Sequence, residues 1–325
     1  MIDQTKLCRV AVLLFALCLA IPTAANAEKP SDDLVVFGDS LSDSGNFFTE
    51  TGELLMAPYA PVPDAPYAIG GHHFSDGRTW IEQLAARLHV PRSAGPALRV
   101  PGVFTNYAFG RSRARANAPT FPFFDLSTQV NLFFADFGGQ APPNARFVIW
   151  SGSNDVRDAL FALQVDPSGA TTGAILESAI ISIQNNIVAL YGTGARKFLV
   201  LNVPNIGITP AVRALGALDP SIPVIAEQVS ALYNAGLAQV LDGLGGFLDG
   251  VEILRLDTFA VLNAIVADPA AYGLTNVTDA CLTFGVSNGA VCRGPKRFLF
   301  WDGAHPTTAG HGALAEAAAV VLAGQ

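Results

Sequence analysis

Along the chain, short and nearly unbroken apolar runs alternate with longer segments whose apolar residues recur at helical spacing. The runs Asp33–Phe37, Phe104–Phe109, Phe147–Trp150, Phe198–Leu201 and Val251–Leu256 are predicted strands, because continuous hydrophobicity suits strands buried on both faces. Between them, Thr79–Leu88, Leu126–Phe137, Ala174–Tyr191 and Val224–Leu244 are predicted helices. A final Ala-rich helix is predicted from about Thr308 to Leu322, with Thr307 as its N-cap. Such alternation points to a doubly wound parallel sheet covered by helices on both sides. Sheets of this kind keep their sites at the carboxyl ends of the strands. Chemistry is therefore expected just after Phe37, Phe109, Trp150, Leu201 and Leu256.

Composition narrows the picture. With 50% hydrophobic and 14% charged residues among 325, and a mean hydropathy of +0.37, the chain can build a large core. The first 27 residues read as a leader: Lys6 and Arg9, then the apolar run Val10–Ala20, then the cleavage pattern Ala25-Asn26-Ala27. As a helix that run rises only ~16 Å, short of a ~30 Å bilayer core. An exported protein is expected, cut after Ala27, with one domain over residues 28–325 and no transmembrane segment. The formal charge is −8, and removing Lys6, Arg9 and Asp3 makes it more negative. Acidity with scattered Arg argues against a nucleic-acid partner. Two cysteines remain, Cys281 and Cys292, eleven positions apart. In an oxidising compartment they can close one short loop; the alternative is a pair of free thiols.

Three motifs fall where the strand rule places them. The first strand runs into Gly38-Asp39-Ser40-Leu41-Ser42-Asp43. A Ser on a strand-to-helix turn suits a nucleophile with N–H groups nearby for an oxyanion, although Gly, Asp and Ser are also ordinary turn residues. The third run ends in Gly152-Ser153-Asn154-Asp155, where the Asn154 amide could donate to an oxyanion or merely cap the next helix. Near the C-terminus, Asp302-Gly303-Ala304-His305 sets an acid three residues before a His, enough for one short loop to deliver an oriented general base. The bland reading there is a solvated pair ahead of a helix. His72, His73, His89 and His311 lack such a setting, and no ligand cluster at zinc spacing supports a metal at His72-His73.

In that order the motifs resemble the GDSL, or SGNH, hydrolase family. Phe74-Ser75-Asp76-Gly77-Arg78-Thr79-Trp80 is similar to another family segment, Asn106–Gly110 to its second block, and Val203-Pro204-Asn205-Ile206-Gly207 to a later loop. The resemblance runs from Asp33 to the C-terminus. It implies a flavodoxin-like three-layer α/β/α fold with a parallel sheet of about five strands and no metal or organic cofactor. It also implies Ser40 as nucleophile, His305 as general base and Asp302 as its orienting acid. The oxyanion hole would come from the Ser40 N–H, a second-block N–H and the Asn154 amide. The family usually has a second Gly in that block, where this chain reads Gly110-Arg111. Arg111 is favoured by register and Gly110 by residue type.

The expectation is an exported serine esterase or lipase acting on small-molecule or lipid esters of short to medium acyl chains. A carbohydrate O-acetylesterase, an acyltransferase and a non-catalytic binding protein are the rivals. Leu126, Val130, Phe133, Phe134 and Phe137 share one helical face, for which core packing is the default and an acyl-binding wall the alternative.

Overall fold

The computed structural model describes residues 33–51, 72–116, 124–283 and 290–324, so the expected leader lies outside the described residues. In chain order the main elements are β1 (Leu34–Gly38), α1 (Asn46–Thr51), α2 (Trp80–Arg87), α3 (Leu126–Phe137), β2 (Arg146–Trp150), α4 (Ser153–Ala162) and α5 (Ala170–Gly192). There follow β3 (Lys197–Leu201), α6 (Pro210–Gly216), α7 (Ser221–Phe247), β4 (Glu252–Leu256), α8 (Thr258–Ala267), β5 (Asn276–Ala280), β6 (Phe298–Phe300) and α9 (Thr308–Ala323).

The main sheet is parallel, in the order β1-β2-β3-β4, with Phe37 opposite Ile149, Phe147 opposite Phe198 and Leu199 opposite Leu254. Because successive side chains point to opposite faces, the apolar runs feed two cores. Val35, Phe37, Phe147, Ile149, Phe198 and Val200 pack with α3, α4, α5 and α7. Leu34, Val36, Val148, Trp150, Leu199 and Leu201 pack with α2 and α9. These are the three layers the sequence implied. Helix α5 is long and apolar enough by composition to cross a membrane, but it lays Leu176, Ala179, Ile183, Ile187 and Leu190 into the first core.

The expected fifth strand is corrected. Phe104–Phe109 runs parallel to β1 but meets it only in the isolated bridge Val36–Asn106, with a second bridge from Asn106 to Pro96 on its other side. Val36 N–H donates to the Thr105 carbonyl at 2.9 Å and Tyr107 N–H to the Val36 carbonyl at 2.7 Å. The next pair is only half made: Phe109 N–H donates to the Gly38 carbonyl at 3.0 Å, but the side chain of Gln129 on α3 takes the Gly38 N–H. The Gly38 N–H donates to Gln129 Oε1 at 2.9 Å, and Gln129 Nε2 donates to the Gly38 carbonyl at 2.8 Å. The sheet is thus four regular strands and one bridged segment.

Helix α3 matches its predicted bounds because its signals are local: Asp125 accepts the Thr128 N–H, and Gly138 closes the helix in the left-handed region at φ 61°. Its stripe is core, with Leu126, Val130 and Phe133 buried and Phe134 and Phe137 packed beside them. Helix α4 was anticipated only as the helix that Asn154 would cap, and α1, α6 and α8 were not expected. Nor was the two-stranded β5–β6 sheet, to which the Cys281–Cys292 bridge (Cα–Cα 4.8 Å) is joined by the Cys281 N–H donating to the Phe300 carbonyl at 3.1 Å.

Candidate active site

β1 ends where β2 crowds it: a Cβ on Gly38 would stand 2.5 Å from the Trp150 carbonyl oxygen, so only glycine fits. The chain then turns tightly. The N–H groups of Ser42 and Asp43 donate to the Asp39 carbonyl, both at 3.0 Å, and Leu41 N–H donates to Asp39 Oδ1 at 3.0 Å. This turn holds Ser40, 9% exposed, at the carboxyl edge of the sheet.

The partner comes from the far end of the chain. Asp302 Oδ1 accepts the N–H groups of Ala304 and His305, each at 2.8 Å, which fixes the loop. Its Oδ2 lies 2.7 Å from His305 Nδ1, and His305 Nε2 lies 2.8 Å from Ser40 Oγ. With the Nδ1–H donated to the Asp302 carboxylate, Nε2 is left as the acceptor for the Ser40 hydroxyl. Burial alone would push the His305 pKa down, but the charge and hydrogen bond of Asp302 outweigh it and raise the value above that of ordinary imidazole.

The segment Phe74–Trp80 braces this loop. Ser75 Oγ donates to the Pro306 carbonyl at 2.9 Å, and Asp76 Oδ1 accepts the Thr308 N–H at 2.6 Å. Trp80 Nε1 donates to Ser42 Oγ at 3.0 Å, so one segment touches both the Ser40 turn and the His305 loop. Thr307 caps α9 by accepting the Gly310 N–H at 3.2 Å.

Asn154 does not cap α4. The N-cap is Gly152, and the Asn154 side chain instead donates to the Ser112 carbonyl at 2.8 Å, which fixes the amide beside the Ser40 turn. Gly110 donates its N–H to buried Asp43 Oδ2 at 2.8 Å. Arg111 adopts φ 67°, the left-handed backbone that favours glycine, and its guanidinium lies 5.6 Å from the centre of the Phe47 ring.

Sequence reasoning missed the clamp that holds this second block. Arg113 grips Asp158 with Nε and Nη2 at 3.0 and 2.9 Å. Arg115 bonds Asp155 Oδ1 at 2.7 Å and Asp158 Oδ2 at 2.6 Å, while Ala114 N–H donates to Asp155 Oδ2 at 2.7 Å. Burial favours a raised Asp158 pKa, but the two guanidinium groups overcome it and hold the carboxyl low. The available signal was Arg113 and Arg115 in alternation facing Asp155 and Asp158 on one helix face.

A cavity of about 160 Å³ opens beside Ser40 and His305, walled by Ile206, Val212, Leu262, Phe300 and Leu314. Asp39 also lines it, and burial lifts its pKa to about 6. Among the described residues no group of three His, Cys, Asp or Glu side chains could hold a metal ion.

A doubly wound α/β fold carrying a Ser–His–Asp chain at the carboxyl edge of its sheet, beside an apolar cavity, defines the class: a carboxylic ester hydrolase. Comparison with known proteins agrees. The chain belongs to the GDSL-like lipase/acylhydrolase family, whose model matches residues 34–318. GDSL esterase/lipase At1g73610 of Arabidopsis thaliana is 27% identical over 300 residues, covering 84% of each chain. GDSL esterase/lipase 5 of the same plant is 26% identical over 314 residues, 87% of this chain and 80% of that one. Inactive GDSL esterase/lipase-like protein 25, also from Arabidopsis, is 27% identical over 286 residues, 84% of this chain and 67% of its own.

Proposed function

We propose that the chain is an exported serine esterase or lipase acting on short- to medium-chain or lipid acyl esters through an acyl-Ser40 intermediate. Ser40 Oγ attacks the acyl carbon while His305 Nε2 takes its proton, and Asp302 stabilises the imidazolium that forms. His305 returns the proton to the departing alkoxide, then activates the water that releases the acid. The oxyanion is held by the Ser40 N–H, the Arg111 N–H and the Asn154 amide; the Gly110 N–H is committed to Asp43, which leaves Arg111 as the second-block donor. Residues 1–27 are the leader removed on export, and 28–325 the hydrolase domain.

The observation that carries this reading is the 2.8 Å contact between Ser40 Oγ and His305 Nε2 at the edge of an apolar cavity. One relative is named inactive, so family membership alone does not secure turnover; the Ser40–His305–Asp302 chain supplies that argument. The cavity wall favours an acyl chain over a sugar, which needs polar contacts.

The test is hydrolysis of 4-nitrophenyl esters from acetyl to palmitoyl, with Ser40→Ala and Asn154→Ala alongside. Ser40-dependent turnover is expected, with an optimum above acetyl. Asn154→Ala is expected to lower kcat by ~10²–10³ with little change in KM. An acetyl-only profile would favour the O-acetylesterase, transfer to an added alcohol the acyltransferase, and no Ser40-dependent turnover a binding protein. N-terminal sequencing of exported protein is expected to begin at Glu28.

A further inference from the structure

One wall of the same cavity is not apolar. It is the first turn of α4, which contributes Ser153, Asn154 and Arg157 to the lining. Ser153 and Arg157 stand four residues apart and so share one helix face. The Ser153 hydroxyl oxygen is buried and has no hydrogen-bond partner among the described residues. A buried hydroxyl without a partner carries a cost unless something docks against it. Among the described residues Arg157 is the one Lys or Arg side chain in the lining; it is 46% exposed and pairs with Asp158, Nη2 standing 3.6 Å from Oδ1. Its charge is felt at the chemistry, where it opposes in small part the upward pKa shifts of Asp39 and His305. The positive end of the α4 dipole faces the same space. The acidic group in the lining, Asp39, gives Oδ1 to the Leu41 N–H and keeps Oδ2 buried without a hydrogen-bond partner among the described residues. It repels an anion least when protonated, below the value of about 6 to which burial lifts its pKa.

A pocket meant only for hydrocarbon has no use for these groups. The geometry points to an anion subsite formed by Ser153 Oγ, Arg157 and the α4 N-terminus, which selects esters that carry a carboxylate or phosphate group close to the scissile bond. This rests on the hydrolase reading for its location but adds a specificity determinant to it. Arg157 supplies charge and forked donors suited to an oxyanion, and Ser153 supplies a short-range donor one turn earlier. The apolar wall takes the hydrocarbon part of the same substrate.

The test compares each anionic ester with a neutral counterpart, in wild type, Arg157→Gln, Arg157→Lys and Ser153→Ala. Mono-4-nitrophenyl glutarate against 4-nitrophenyl butyrate places the anion on the acyl side. 3-(Butanoyloxy)benzoate against phenyl butyrate places it on the alcohol side. The readout is the ratio of kcat/KM within each pair, which cancels any loss of folded enzyme. Wild type is expected to favour the anion in one pair, and that pair identifies the side. Arg157→Gln is expected to lower the ratio roughly tenfold or more, Arg157→Lys to restore part of it, and Ser153→Ala to lower it severalfold. A ratio unchanged within about twofold by Arg157→Gln in both pairs overturns the inference. So does discrimination against the anion in both pairs by wild type. Calorimetric titration of Ser40→Ala with glutarate separates the two readings. Binding abolished by adding Arg157→Gln, in a protein that turns over no ester, would keep the anion site and remove the hydrolase; turnover without glutarate binding or anion preference would do the reverse.

Discussion

The Gly110 N–H donates to Asp43 Oδ2 at 2.8 Å, and with the Asn106 amide, which donates to the Ser42 carbonyl at 2.8 Å, it ties the loop carrying Ser40 to the second block of the site. Asp43 also accepts the N–H groups of Gly45 and Asn46, each at 2.7 Å, and of Phe47 at 3.0 Å. Burial pushes the Asp43 pKa up, and these four donors pull against it.

Asp43→Ala would leave four backbone donors without their acceptor in a closed interior. A loss of at least ~2 kcal/mol is expected, since each unsatisfied buried group costs ~1–3 kcal/mol. Urea unfolding measures it. Esterase activity is expected to fall further than the folded fraction does, because the second block would drift from Ser40.

Arg111 holds a left-handed backbone that costs an L-residue ~1–2 kcal/mol, set against a contact with the Phe47 ring worth ~0.5–1 kcal/mol. Arg111→Gly is therefore expected to remain within about 1 kcal/mol of wild type, on the stabilising side. Its kcat should stay within severalfold, because the donor is the backbone N–H. Arg111→Val, β-branched at the same φ, is expected to be clearly destabilised. A hundredfold fall in kcat for Arg111→Gly would show that the side chain, not the amide, is what the site uses.

Turnover needs neutral His305, so kcat/KM should rise with pH through the His305 pKa. That pKa is raised, mainly against burial by the Asp302 charge, so the acid limb should lie above the ordinary imidazole value. Asp302→Asn removes the charge; the limb is expected to move to lower pH and the plateau to fall by ~10⁴. A limb that moves upward in Asp302→Asn would contradict this electrostatic account.

His311 on α9 is fully buried, neither ring nitrogen has a hydrogen-bond partner among the described residues, and burial lowers its pKa to about 3. The cations of His305 and His73 add to the same shift. In the unfolded chain it would protonate near 6.5, so between those values the unfolded state binds the extra proton and stability falls as pH falls. Asp39, raised to about 6, acts in the opposite sense between 3.8 and 6. The His311 contribution is therefore read as a difference: His311→Leu should gain on wild type by up to ~1.4 kcal/mol per pH unit below about 6. A constant difference across pH 4–7 would show that His311 is not held neutral.

The layers, four of the strands and the ends of α3 were legible because their signals are local, in unbroken apolar runs, a capping Asp125 and a closing Gly138. Phe104–Phe109 misled because its hydrophobicity is that of a strand, while what leaves its second pair half made is the amide of Gln129, 91 residues from Gly38. The extent of helix α4 stayed hidden because Asp155, Arg157 and Asp158 break its apolar pattern, and those polar residues are explained only by Arg113, Arg115 and the cavity. β5 reads Asn-Val-Thr-Asp-Ala and β6 is three residues long, too polar and too short to announce a sheet. At the site, Ser40, Asp302, His305 and Asn154 were named from motif order. What favours Arg111 over Gly110 in the proposed oxyanion hole is a carboxylate 67 residues from Gly110, which motif order does not reveal.

The bracing of the Pro306 carbonyl by Ser75, across 231 positions, has a bearing on when the protein becomes reactive. During synthesis the Ser40 hydroxyl emerges near the start and its proton acceptor near the end, 265 residues later. A growing chain therefore holds an alcohol no more nucleophilic than any other serine. Reactivity switches on only once the His305 loop reaches Ser40, so ester-cleaving power is withheld from any copy that ends before His305.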